Sequence, residues 1–356
     1  MGPTIAERYE PRANALNAVR LALALLVIVW HSFPLSGNRI EWHPLQQFMG
    51  QTAVDGFFAI SGFLILGSWL RNPRWFPYLM ARVLRIFPAF WVCLVVTAFL
   101  IAPVATMLAT SGSYGSAISV ESVTYVLKNA ALRMFQDRIG DTPLGVPFTA
   151  TWNGSMWTLW WEFLCYVGVL ALGVLGLLRR SWILPAAFVL GLVAVIGTGY
   201  GPIENFYVAT AARFGTMFLA GALLHIYAHR IPLTWPLVAL ASAATIATMW
   251  LPDYRLLGAL PLAYAMFGIG ALVQHPRMRL RNDLSYGTYI YAFPVQQLLA
   301  SAGVHELGVP LYVAASIGVT LAAAAASWFL IERHALKLKP RRRASAGAPL
   351  EVTAQG

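Results

Sequence analysis

The chain has 356 residues, of which 58% are hydrophobic and 11% charged, and its mean hydropathy is +0.64. Soluble domains carry about 25% charged residues, so the composition excludes a soluble globular enzyme and indicates an all-α, polytopic membrane protein. The net charge of +11 would suggest nucleic acid in a soluble chain. Here the basic residues flank apolar segments, so membrane topology accounts for them and no nucleic-acid partner is expected.

Residues 1–13 read as a cytoplasmic N-terminal segment without a signal peptide. Ten segments long enough to span follow, near 14–35, 46–69, 86–110, 155–178, 182–199, 207–228, 235–251, 255–273, 285–303 and 310–332. The N-terminal segment, alternate loops and the tail hold most of the Arg and Lys, so both termini are expected in the cytoplasm. The first segment carries Arg20 and His31. Eleven steps along an α-helix close about three turns and rise about 16 Å, so both side chains face one way, half a bilayer core apart. Ionisable groups at such depth are functional candidates by default. The second segment carries Asp55 in VDGFFAISGFLI (54–65). Arg71, Arg74, Arg82 and Arg85 mark the cytoplasmic mouth of the third, where Arg82 and Arg85 suit bidentate contact with phosphates. Cys93 and Cys165 lie in apolar runs without metal or redox spacing and read as small buried hydrophobes.

Residues 111–154 form a long outer loop, with SGSYGS at 111–116, a helical stretch near 119–137 and a Gly/Pro-rich run ending at Asn153. Loops this long serve as lids or binding surfaces more often than as connectors. The fourth segment carries Glu162 in WTLWWEFLCY (157–166), with Ser155, Thr158 and Tyr166 on its helical face. The sixth carries Arg213. His31, Asp55, Glu162 and Arg213 share one depth band in the outer half, two carboxylates against one fixed cation and one titratable base. Arg20, His31, Asp55 and Arg213 also have plainer readings: snorkelling for Arg20, an interfacial histidine for His31, helix bridging for Asp55, neutralisation of an acid for Arg213. Residues 338–356 form a basic tail expected to be disordered. No cluster has metal-ligand spacing, and no metal is expected.

Arg20 with His31, VDGFFAISGFLI, RVLRIFPAFW (82–91), WTLWWEFLCY, FLAGALL (218–224) and LSYGTYIYAFPV (284–295) resemble, in order, the signatures of the acyltransferase-3 family. The resemblance runs from about residue 14 to 337. It implies an integral-membrane transferase of the cytoplasmic membrane that moves an acyl group, often acetyl, from cytoplasmic acyl-CoA to a sugar hydroxyl. Acceptors in the family are often cell-surface or exported glycans, and in some members glycosylated secondary metabolites. The fused outer hydrolase-like domain of many members is not expected here. One departure is Ala292, where many relatives have His. Gln296 and Gln297 lie nearby without assigned chemistry.

The residues then take these roles. His31 is the general base, removing the acceptor proton as the oxygen attacks the thioester. Glu162 or Asp55 orients the imidazole, as the acid of a triad does. Arg20, Arg82 and Arg85 hold the acyl-CoA donor, and no cofactor is bound permanently. Asn153, Ser155 and Arg213 contact the acceptor. A transient acyl-enzyme on His31 or Ser61 stays open. The rival class is a transporter or flippase of a glycan or lipid intermediate, which also uses intramembrane charge; acyl transfer from labelled acetyl-CoA separates the two.

Overall fold

The computed structural model describes residues 2–110 and 118–339, and among these the regular secondary structure is helical, with no β-strand. SGSYGS, and most of the tail expected to be disordered, lie outside the described residues. In lipid an apolar run must satisfy its backbone internally, which favours helices. The elements are α1 (Ile5–Arg8), α2 (Leu16–Leu35), α3 (His43–Arg71), α4 (Trp75–Val96), α5 (Ala102–Thr110), α6 (Val120–Asn129), α7 (Thr158–Val174), α8 (Ile183–Gly199), α9 (Phe206–Ile226), α10 (Trp235–Ala247), α11 (Arg255–Leu272), α12 (Ser285–Ser301), α13 (Val309–Ser327) and α14 (Arg333–Lys337). A π-turn, Thr97–Ile101, joins α4 to α5, and another, Trp328–Glu332, joins α13 to α14.

Each of the ten apolar segments is occupied by a helix. Among the described residues, six helical stretches are long and apolar enough to cross a membrane: Leu16–Leu35, His43–Arg71, Trp75–Ala109, Phe206–Ile226, Arg255–Leu272 and Val309–Lys337. Thr158–Val174, Ile183–Gly199 and Trp235–Trp250 are shorter apolar helices. Two boundaries differ from expectation. The third helix begins at Trp75, not near 86, because Pro73 biases Asn72 away from helix and α3 has ended at Arg71. Arg82 and Arg85 therefore lie on a helix wall. The stretch expected near 119–137 ends at Asn129, whose side chain accepts from the backbone N–H of Phe135 and Gln136 and donates to the Gln136 carbonyl. Leu132 turns left-handed there, with φ of 68°.

Small residues let α3 and α9 touch backbone to backbone. A Cβ added to Gly62 would fall 1.9 Å from the Phe218 carbonyl oxygen, and one added to Gly221 would fall 1.8 Å from that of Ala59. This pair fixes the wall that carries Asp55, Ser61 and Arg213. Helix α12 is buried along most of its length and packs against α2, α13 and α4. It donates side-chain hydrogen bonds to its neighbours: Gln296 to the Ile28 carbonyl (3.0 Å) and the Ser32 hydroxyl (2.8 Å) of α2, and Gln297 to the Phe148 and Thr151 carbonyls (2.8 and 2.9 Å). At the opposite end the N-terminal arm docks on residues 228–233, with Ile5 N–H to the Ile231 carbonyl at 2.9 Å and Leu233 N–H to the Pro3 carbonyl at 2.8 Å.

Candidate active site

At the N-terminal end of α2, Arg20 reaches Asp283 at 2.6 Å, and Arg85 reaches the same carboxylate oxygen at 2.6 Å. Arg85 also pairs with Glu332 at 3.1 Å, and Ser327 donates to that carboxylate at 3.0 Å. The π-turn swings Glu332 inward from the end of α13. Burial raises the Asp283 carboxyl, but the two guanidiniums and the hydrogen bonds from Ser285 outweigh it and hold the group at about 2. Sequence pattern alone does not single out Asp283 or Glu332. The available signal was one carboxylate in the basic run Arg277–Asp283, and another closing an otherwise uncharged span.

Arg82 sits one helical turn before Arg85 in a different setting. Its guanidinium stacks 4.8 Å from the Tyr78 ring centre and 6.0 Å from that of Tyr166. Its buried Nε has no hydrogen-bond partner, and among the described residues it pairs with no carboxylate. Of the three arginines assigned to the donor, Arg20 and Arg85 are thus neutralised within the protein and Arg82 is not.

Above this cluster a cavity of about 30 Å³ lies between α2, α3, α7 and α12, lined by Arg20, Phe57, Thr158, Glu162, Tyr286 and Tyr289 among others. That is room for one water. Glu162 accepts from Ser61 at 2.9 Å and from Tyr166 at 2.5 Å, so its Oε1 is fixed by two hydroxyls. The Tyr289 hydroxyl lies 2.6 Å from that of Thr158 and donates to the Ser155 carbonyl at 2.8 Å. Ser155 therefore contributes its backbone, while its buried hydroxyl has no partner. Asn153 donates to Tyr125 at 2.5 Å and its Oδ1 is likewise unpartnered.

Further along the same face of α2, His31 Nδ1 lies 2.8 Å from the Val27 carbonyl. A carbonyl only accepts, so Nδ1 carries the proton and Nε2 the lone pair. Among the described residues Nε2 has no hydrogen-bond partner. The ring meets Phe293 edge to face, centroids 5.3 Å apart. Phe293 in turn rests on Gly154, where an added Cβ would fall 2.5 Å from a ring carbon. The Asn153–Ser155 turn, Phe293 and His31 are thus stacked in sequence.

Asp55 and Arg213 meet on the α3–α9 wall, Arg213 Nε to Asp55 at 3.1 Å. Asp55 is fully buried and also accepts from Arg255 at 2.7 Å and from the Tyr254 hydroxyl. Arg255 is the buried first residue of α11 and further binds Asp253 at 2.9 Å. Among the described residues neither Asp55 nor Glu162 bonds to His31; a backbone carbonyl orients the imidazole instead.

Residues 13–329 match a family described as "Acyltransferase domain". The chain is 27% identical to the "O-acetyl transferase" of Shigella phage Sf6, across 91% of this chain and 96% of that protein. It is 28% identical to "Nodulation protein 10" of Rhizobium leguminosarum bv. viciae, across 95% of this chain and 97% of that protein. No solved structure matches.

Proposed function

The chain belongs to the acyltransferase-3 family and is a multi-pass membrane acyltransferase; from that premise we propose that it moves an acetyl group from cytoplasmic acetyl-CoA to a sugar hydroxyl of a cell-surface or exported glycan. The observation that carries the reading is the α2 face, with Arg20 at one end and an imidazole with a free Nε2 lone pair at the other. The relative named an O-acetyl transferase supports the size of the group. All ten apolar helices cross the cytoplasmic membrane and both termini face the cytoplasm. Docking of the N-terminal arm on residues 228–233 supports this, because it gathers Arg8, Arg12 and Arg230 at one end of the bundle.

The nucleotide end of the donor is polyanionic and costly to bury without partners, so it stays at the Arg20–Asp283–Arg85 end. Arg82, held between tyrosines and without a carboxylate, takes a phosphate. Arg20 and Arg85 fix the mouth through Asp283. The thioester arm passes between α2, α3, α7 and α12. The cavity there admits one water, so Phe57 and the tyrosines lining it move aside as the arm enters. At the far end His31 Nε2 removes the acceptor proton as the oxygen attacks the thioester carbon. The carbonyl electrons move to oxygen, the tetrahedral centre collapses, and CoA leaves as thiolate, which the imidazolium reprotonates. Glu162, anchored by Ser61 and Tyr166, lines the passage. Asn153 and Ser155, with unpartnered polar atoms, receive the acceptor with Arg213, whose terminal nitrogens are free of protein hydrogen bonds among the described residues.

Membranes containing the protein and labelled acetyl-CoA test this directly. Label should appear in an acid-stable, base-labile ester on glycan; label that only changes compartment would mark a carrier.

A further inference from the structure

A second concavity opens between the end of α2 and the start of α3. It measures about 460 Å³, within the roughly 300–1,000 Å³ usual for small-molecule sites, and is lined by Trp30, Phe33, Pro34, Asn38, Arg39, Glu41 and their neighbours. Trp30 directly precedes His31, and Pro34 lies about one turn beyond it. The Trp30 indole is braced from behind: a Cβ added to Gly50 would fall 2.8 Å from two of its ring carbons. The loop forming the rim is fixed as well, by Asn38 N–H to the Phe33 carbonyl at 2.9 Å and by Gln46 to the Ile40 carbonyl. Arg39 and Glu41 stand exposed on that rim, and among the described residues neither side chain has a hydrogen-bond or ion-pair partner.

We propose that this concavity is a further acceptor subsite, beyond the groups at Asn153, Ser155 and Arg213, and that it binds a pyranose unit with the ring's apolar face on Trp30 and its hydroxyls on Asn38, Arg39 and Glu41. A pyranose has one C–H face and a rim of hydroxyls. A braced indole with an amide, a guanidinium and a carboxylate at its edge matches both, since a donor and an acceptor together read a hydroxyl from either side. A lipid tail would leave Arg39 and Glu41 without use. A sugar seated here lies within a helical turn of the residue bearing the base. The assignment rests on the acyl-transfer reading.

Saturation-transfer NMR on the protein in phosphatidylglycerol nanodiscs, with methyl glucopyranoside, galactopyranoside and rhamnopyranoside as probes, tests the subsite. Wild type should saturate the ring protons of at least one glycoside. Trp30→Ala should weaken binding by about tenfold, Trp30→Phe should restore part of it, and Arg39→Ala with Glu41→Gln should weaken it without touching the indole. A companion assay follows acetyl-CoA consumption by the same samples. The Trp30 variants should melt at the wild-type temperature and elute from size exclusion as wild type does, which shows that they are folded. No saturation of any glycoside, signal unaltered in Trp30→Ala, or saturation of lipid protons alone would each overturn the subsite. Wild type that never consumes acetyl-CoA would instead overturn the transferase reading.

Discussion

Asp283 joins two guanidiniums that the sequence could only place near one membrane face. Removing one partner of a buried cluster leaves uncompensated charge, at a cost of roughly 3–5 kcal/mol. Asp283→Asn should therefore lower thermal stability in detergent and raise the KM for acetyl-CoA, because Arg20 and Arg85 lose their common anchor. The pH dependence has a definite sign. The folded-state value of about 2 lies below the ordinary 3.8, so the stabilisation is complete above about pH 4 and fades as pH falls through 2. Melting curves between pH 5 and 2 should show wild type approaching Asp283→Asn. Arg82→Ala should behave differently, raising the donor KM by about tenfold or more with little change in melting temperature, since no carboxylate depends on it. An unchanged KM would return Arg82 to topology alone. The sequence marked Arg20, Arg82 and Arg85, but not which of them are neutralised. Their carboxylates lie far along the chain, and only packing brings Asp283 and Glu332 to Arg85.

Helices were legible because hydrophobic periodicity and bilayer thickness constrain them strongly. The start of α4 was not. Its first turns look like a basic loop until Asp283 and Glu332 partner Arg85, and Tyr78 and Tyr166 flank Arg82. The end of α6 was hidden by a side chain: Asn129 captures backbone groups that a longer helix would use. Asp55 was legible as a buried acid, whereas its main partner Arg255, 200 residues along the chain at the first position of α11, is brought to it only by packing. The α3–α9 contact makes its own prediction. Gly62→Leu or Gly221→Leu would drive a side chain into carbonyl oxygens, so either should cost at least about 1–3 kcal/mol and reduce the monodisperse fraction on size exclusion. Gly168→Leu and Gly318→Leu, with nothing within 4 Å of an added Cβ, should be tolerated.

Across the whole molecule, a chain of groups runs along α2 from the Arg20–Asp283–Arg85 cluster, past Glu162 and Tyr289, to Phe293 and His31. Consecutive glutamines on α12 hold the upper part together, Gln296 on α2 and Gln297 on the segment leading to Asn153. The depth of each ionisable group can be read along the chain, but its azimuth cannot. Asp55 and Arg213 share a depth band with His31, and the fold pairs the two with each other on the α3–α9 wall. The claim that everything else depends on is that the imidazole takes the acceptor proton. The most direct measurement is transfer of labelled acetyl from saturating acetyl-CoA by His31→Gln in nanodiscs, with CoA binding measured on the same sample. The account predicts transfer reduced by roughly 10²–10⁴-fold with CoA affinity retained. Wild-type transfer by His31→Gln would contradict it.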